Sequence, residues 1–377
     1  MVAALLPLVL LAVSARADEP RARDLGIPFD FGVPGEHNAI TDVPGVEVGH
    51  LTLIEGESVR TGVTAVLPRG RGEAARDQCF GGWFSLNGNG EMTGLPWLEE
   101  SGQLEGPILI TNTNAVGVVR DAVIDYAFRR WGPEGLWSLP IVAETWDGPL
   151  NDIYGAHVRA EHAHQAIDAA RGGAVAEGGV GGGTGMVCYE FKGGIGTASR
   201  RLPEADGGHH VGVLVQANFG LRHQLRIAGV PVGDELPREH PLRPGAAEAG
   251  SIIIVVATDA PLLPHQLKRL ARRSALGLAR TGSVAGDGSG DLMLAFSTAN
   301  PRLGSRDGEV ALRMLPNPRM GALFEATVGA TEEAIVNALV AGRDTRGHQG
   351  AFVEGLPHER VRELLRRYNR LQEAEGR

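Results

Sequence analysis

Two periodicities alternate along the chain. Apolar or β-branched runs bounded by Gly, Pro, Asn or Asp recur as VEVGHLTLI (46–54), TGVTAVLP (61–68), GPILITNTNAVG (106–117), LPIVAETW (139–146), HVGVLVQANFG (210–220), SIIIVVATDA (251–260) and DLMLAFSTA (291–299). Each is short, β-rich and punctuated, so each reads as a strand. Helical spacing over about 116–131, 157–171, 263–280, 331–341 and 357–373 predicts the intervening helices. Asp259 and Pro261 stand ahead of the third, and Thr331 with Glu332 and Glu333 behind it reads as the N-terminus of the fourth. Strands interleaved with helices make an α/β or α+β chain whose helices cover sheet faces, and leave its topology open.

The first seventeen residues, MVAALLPLVLLAVSARA, are apolar but too short to span a bilayer and end in Ala15-x-Ala17, the spacing a signal peptidase reads. They are expected to be an export signal removed before Asp18, although the usual preceding positive charges are missing, which leaves a soluble periplasmic or secreted protein. No later apolar run reaches transmembrane length, so no membrane association is expected after cleavage. The formal charge of −9 argues against nucleic acid, whose binding depends on neutralising phosphates. The basic stretch KRLARRSALGLAR (268–280) carries leucines at helical spacing and reads as a solvated helix face. Cys79 and Cys188 lie far apart and match neither a disulfide framework nor a zinc site, so the expectation is two buried thiols.

Familiar catalytic patterns are missing. No serine sits in Gly-x-Ser-x-Gly, and no His-Glu-x-x-His occurs. His157, Glu161 and His164 could share one helix face, but exposed polar faces look the same, and no metal site is assigned to them. Fifty-four glycines cluster notably between 171 and 200, without a phosphate-binding pattern. They are either close-approach loops around a site or tight connectors.

One junction stands out. Gly250-Ser251 joins a small-residue stretch directly to an apolar strand. By itself it reads as a turn. It is also where a serine could attack the carbonyl before it, form an ester, and become a new N-terminus whose amine, with an ordinary pKa near ~8, serves as its own general base.

Seven blocks extend that reading: HNAITDVPGVEVGHLT (37–52), TNTNAVG (111–117), ETWDGPLNDI (144–153), GGTGMVCYEFKGGIGTASR (182–200), VLVQANFG (213–220), AGSIIIVVATDAPL (249–262) and GSGDLMLAFSTAN (288–300). In this order they resemble the DmpA-type serine-nucleophile aminopeptidases (peptidase family P1), which include L-aminopeptidase/D-esterases and β-peptidyl aminopeptidases. The resemblance implies an α/β fold, a four-layer αββα sandwich, cut into an α chain (18–250) and a β chain (251–377) that together form one domain. It implies an autoprocessed aminopeptidase or amidase acting on small peptides, amino acid amides or esters, assembled as a homo-oligomer of αβ heterodimers, with no metal or organic cofactor.

The site residues follow from the same resemblance. Ser251 is the expected nucleophile, freed by cleavage after Gly250. Asn218 is expected to hold the oxyanion, and Ser289 with Asp291 to orient the serine. Glu144 is expected to face the substrate's free amine. Trp146 departs from the tyrosine of familiar members, a larger group with one N–H in place of a hydroxyl, so a shifted substrate preference or weaker activity is expected. Two alternatives stay open: an acyltransferase of the ornithine acetyltransferase-like fold, and a non-catalytic exported binding protein with an uncut chain.

Overall fold

The computed structural model describes residues 20–72, 77–133, 139–236, 250–305 and 308–372, and the expected export signal lies outside them. The strands are β1 (Glu47–Glu55), β2 (Val59–Leu67), β3 (Cys79–Gly88), β4 (Gln103–Leu104), β5 (Ile108–Asn112), β6 (Ile141–Thr145), β7 (Val187–Cys188), β8 (Phe191–Lys192), β9 (Gly194–Arg201), β10 (His210–Asn218), β11 (Ser251–Thr258), β12 (Gly290–Ser297), β13 (Thr345–Arg346) and β14 (Phe352–Val353). The helices are α1 (Leu95–Ser101), α2 (Val116–Trp131), α3 (Ala160–Asp168), α4 (Val232–Glu235), α5 (Pro264–Arg280), α6 (Gly321–Ala341) and α7 (His358–Arg367).

The run Ile252–Ala257 is buried throughout because it serves two cores at once. Side chains alternate across a strand, so Ile252, Ile254 and Val256 face one way and Ile253, Val255 and Ala257 the other. The first set packs under α5 and α6 with Leu267, Leu270 and Ile335. The second meets Ile108, Ile110 and Ile141 of a second sheet. That sheet, ordered β1-β2-β5-β6, turns Val63, Leu109 and Val142 outward onto α2 and α3. The larger sheet is ordered β4-β3-β12-β11-β10-β9. Helices, sheet, sheet and helices therefore form the four-layer sandwich. Burying an Ile or Leu fully contributes about 1.5–3 kcal/mol, so the continuous apolar strands are the main favourable term.

Strands β3 and β9 escape the hydrophobic pattern because glycine replaces the residues that would mark it. In β3 a Cβ at Gly82 would lie 2.5 Å from the Lys268 nitrogen of α5. In β9 a Cβ at Gly196 would collide with the Ala334 carbonyl of α6. The two long helices lie directly on bare backbone there.

The expected N-terminus at Thr331 is corrected: α6 begins at Gly321, and Thr331 lies buried in its middle with its hydroxyl bonded to the Thr327 carbonyl 2.7 Å away. Glu332 and Glu333 are not helix-capping acids. Glu333 is buried between Arg23 (2.7 Å) and Arg200 (2.8 Å), and Glu332 pairs with Arg280. The helix expected over 157–171 spans only Ala160–Asp168, which leaves His157 outside it, bonded to Asp152 at 3.2 Å. His164 instead faces α2, with its Nε2 3.0 Å from the Ala122 carbonyl, so the His157–Glu161–His164 face does not form. Both cysteines are free and buried. Among the described residues no helix is long and apolar enough to cross a membrane.

Candidate active site

The site lies where β10, β11 and β12 begin or end side by side. Asn218, the last residue of β10, is the register partner of Ser251, the first of β11, and Ser251 is paired on its other side with Gly290, the first of β12. Ser251 is buried and shares its strand face with Ile253 and Val255, so its hydroxyl is directed between the sheets. Antiparallel β10 and parallel β12 thus bring residues 218, 251 and 290 into one row.

The junction backbone is tightly held. The Gly250 carbonyl accepts a hydrogen bond from the Gly290 N–H at 3.1 Å. A Cβ on Gly250 would lie 2.5 Å from the Asn218 carbonyl oxygen and 2.7 Å from the Phe219 Cα, so only glycine fits ahead of the serine. Gly290 is equally confined, with the Gly90 Cα 2.9 Å from any Cβ placed there. Ser289 donates to Asp291 Oδ1 at 2.7 Å, and both side chains are buried. These two residues flank Gly290 and bond to each other.

Asn218 is oriented at both ends. Its Oδ1 accepts from the Val187 N–H at 2.8 Å, and its Nδ2 donates to the Trp146 carbonyl at 3.0 Å. A carboxamide carries two N–H groups, so one further donor belongs to this nitrogen. The contribution of Trp146 here is its backbone. Its indole lies over Gly148, where an added Cβ would fall 2.8 Å from Nε1.

Glu144, the penultimate residue of β6, is buried, accepts from the Glu91 N–H at 2.9 Å and takes a short hydrogen bond from the Thr113 hydroxyl. Burial raises its pKa above the ordinary carboxylate value, opposed by those two hydrogen bonds and reinforced by the nearby Glu91 charge. Gly90 links it to the serine row: a Cβ there would lie 3.3 Å from both Glu144 Oε1 and the Gly290 Cα. The fold therefore brings Asn218, Ser251, Ser289 and Asp291 into one row, with Gly90 between that row and Glu144.

Sequence reasoning did not single out Thr113, Glu91, Val187 or Lys192. The first three act through a hydroxyl or backbone N–H, groups with no positional signature. Lys192 had one: it is one of two lysines in a chain of 377 residues, with arginine supplying every other basic side chain.

A two-sheet sandwich with a serine opening its central strand beside an asparagine and a glycine-held carbonyl is that of an Ntn-hydrolase-fold aminopeptidase. Residues 38–353 match Peptidase family S58, and the chain belongs to that family, the DmpA/β-peptidyl aminopeptidases designated P1 above. It is 53% identical over 386 residues to beta-peptidyl aminopeptidase BapA of Sphingosinicella microcystinivorans, covering 96% of each chain. The corresponding protein of Sphingosinicella xenopeptidilytica is 46% identical over 95% of this chain and 94% of its own. Among solved structures, a Burkholderia sp. beta-aminopeptidase superposes with a TM-score of 0.87 at 52% identity, covering 92% of this chain and 99% of that one. The L-aminopeptidase D-Ala-esterase/amidase of Ochrobactrum anthropi, described as a variant of the Ntn hydrolase fold, gives 0.88 at 44% identity over 94% of this chain and 100% of its own.

Proposed function

We propose that the protein is an exported, self-processing N-terminal-nucleophile aminopeptidase that releases the first residue of small peptides, amides or esters. The observation that carries this reading is the row Asn218–Ser251–Gly290 with the Gly250 carbonyl held by the Gly290 N–H. In the first reaction Ser251 Oγ attacks that carbonyl carbon while Gly290 N–H draws charge to its oxygen. The peptide C–N bond breaks, the hydroxyl proton passes to the departing nitrogen, and water then cleaves the ester. The products are a Gly250 carboxylate and a free Ser251 amine.

The second reaction uses the same hydroxyl. The freed amine accepts the Oγ proton as the serine attacks the substrate's first carbonyl, and the further N–H of Asn218 donates to the developing oxyanion. One such donor is worth about 3–4 kcal/mol of barrier. The leaving amine takes the proton, and water clears the acyl-enzyme. Glu144, buried and anionic, pairs with the substrate ammonium and so selects an unblocked N-terminus. The bonded pair Ser289–Asp291 sits on the strand beside the nucleophile and steadies its amine. The names of the relatives favour substrates with an N-terminal β-amino acid. Residues 1–17 act as the export signal, and the processed αβ pairs assemble into a homo-oligomer.

Intact mass and N-terminal sequencing test this directly. The purified protein should consist of two chains, the second beginning SIIIVV, and Ser251→Ala should remain one uncut chain without aminopeptidase activity. A cut Ser251→Ala chain, or an uncut native protein with full turnover, would refute the mechanism.

A further inference from the structure

We infer that Lys192 is a positioning residue, a tethered cation that organises the loop 183–193 and through the Val187 N–H fixes the catalytic orientation of the Asn218 amide. Its Nζ is buried and donates to three backbone carbonyls, Gly183 at 3.1 Å, Met186 at 3.0 Å and Gly193 at 2.7 Å. Three convergent acceptors call for three donors, which an ammonium has and a neutral amine lacks. Burial pushes the pKa of this lysine down to about 7, and hydrogen bonds from its N–H groups to the three carbonyls act in the opposite direction, toward the charged form. A buried charge held by backbone dipoles is expensive.

What it holds is the strand that grips Asn218. Val187 and Lys192 are register partners in the two-residue hairpin β7–β8, and the Val187 N–H is the donor to Asn218 Oδ1. The hairpin tip, Tyr189 and Glu190, has both residues in the left-handed region (φ 50° and 61°) with no glycine. Such backbone persists only where its surroundings enforce it. Tyr189 is held by the Phe219 carbonyl at 2.6 Å, one residue beyond Asn218, and by Thr281 at 2.8 Å. Lys192 thus closes one end of a strained clip whose other end aligns the oxyanion donor.

The choice of lysine is itself informative. Arginine supplies 34 of the 36 basic residues, yet lysine occupies this position. Three carbonyls converging on one point require three donors from a single atom, which a compact ammonium offers and a planar guanidinium, with its donors spread over a fork, does not.

The inference rests on Asn218 being the oxyanion donor, and the experiment separates the two. Lys192→Met, Lys192→Arg, Asn218→Ala and Lys192→Met/Asn218→Ala are compared for kcat and KM on an aminoacyl p-nitroanilide the native enzyme cleaves, per mole of processed β chain, with thermal melts as the check on folding. Lys192→Met should lower kcat roughly 10- to 100-fold with KM within about threefold, and should cost the Asn218→Ala background less than about twofold. A folded Lys192→Met with near-native kcat, or a full further loss in the double variant, overturns the inference alone. Full turnover in Asn218→Ala removes the reading of Asn218 and the inference with it. If Lys192→Met does not fold, Lys192→Arg decides: reduced kcat supports the compact-cation role, and native kcat overturns it.

Discussion

Asp147→Asn tests whether an ionised carboxylate is held against its preference beneath the site. Asp147 follows Trp146 in the turn after β6 and has no exposed surface. Its Oδ1 accepts from Asn151 Nδ2 at 3.0 Å, and its own carbonyl accepts from the Leu150 and Asn151 N–H groups, each at 3.0 Å, which shapes the turn that presents the Trp146 carbonyl to Asn218. Burial pushes the pKa of this carboxyl up from 3.8 to about 6, opposed by the nearby polar side chains of Thr61, Asn151 and Asn112. A raised folded value means that the native state binds the proton more tightly than the unfolded chain. Stability is therefore lost as pH rises from about 4 to about 6 and is level above that. At about 1.4 kcal/mol per unit, roughly two units amount to about 3 kcal/mol at neutral pH. The amide cannot ionise, so the stability of Asp147→Asn relative to the native protein should rise by about 2–2.5 kcal/mol between pH 4 and pH 7. Denaturant unfolding of both proteins across that range measures it. The test is the pH dependence of the difference, which is insensitive to any constant penalty from the new amide. A difference that stays flat within about 1 kcal/mol would refute the assignment of a buried, reluctantly ionised carboxylate.

Two further outcomes follow from the same geometry. Glu144→Gln should reduce kcat/KM by about 2–3 kcal/mol, a loss of the order of 30- to 150-fold, by removing a charged partner of the substrate ammonium. Because burial raises the pKa of Glu144, the native kcat/KM should fall on acidification at a pH above the ordinary glutamate value of 4.5, and a pH profile of the variant should lack that limb. Glu333→Gln should destabilise the protein by about 3–5 kcal/mol, since Arg200 is left buried without its carboxylate partner. Burial alone would raise the pKa of Glu333, but the Arg23 hydrogen bond and the Arg200 and Arg23 charges hold it below the usual range. Its stabilisation is thus complete above the ordinary carboxylate pKa and lost as pH falls through the lower folded value, a difference that unfolding titrations of native and variant proteins would record.

The sequence alone determined the strands whose side chains carry their own signal. β10, β11 and β12 appear as apolar runs because each is buried on both faces, and their ends bring in Asn218, Ser251 and Asp291. α2 and α5 were legible within a residue or so, since each has one apolar stripe against one sheet. Order along the chain and the chemical identity of the site were thus readable one segment at a time. Several features were not. Strands β3 and β9 are written in glycine because helix backbones rest on them, so the residues that would mark a strand are the ones the packing forbids. The first half of α6 hid because its true start at Gly321 has neither a side-chain cap nor an acid in its first turn, while Thr331, Glu332 and Glu333 in its middle imitate a helix start. Only the tertiary structure decided that Ser251 lies between Asn218 and Gly290, that the Trp146 backbone and the Val187 N–H hold the same amide, and that Lys192 stands behind that grip. Those relations run through backbone groups that every residue possesses, and their meaning arises only when strand register brings distant segments to hydrogen-bonding distance.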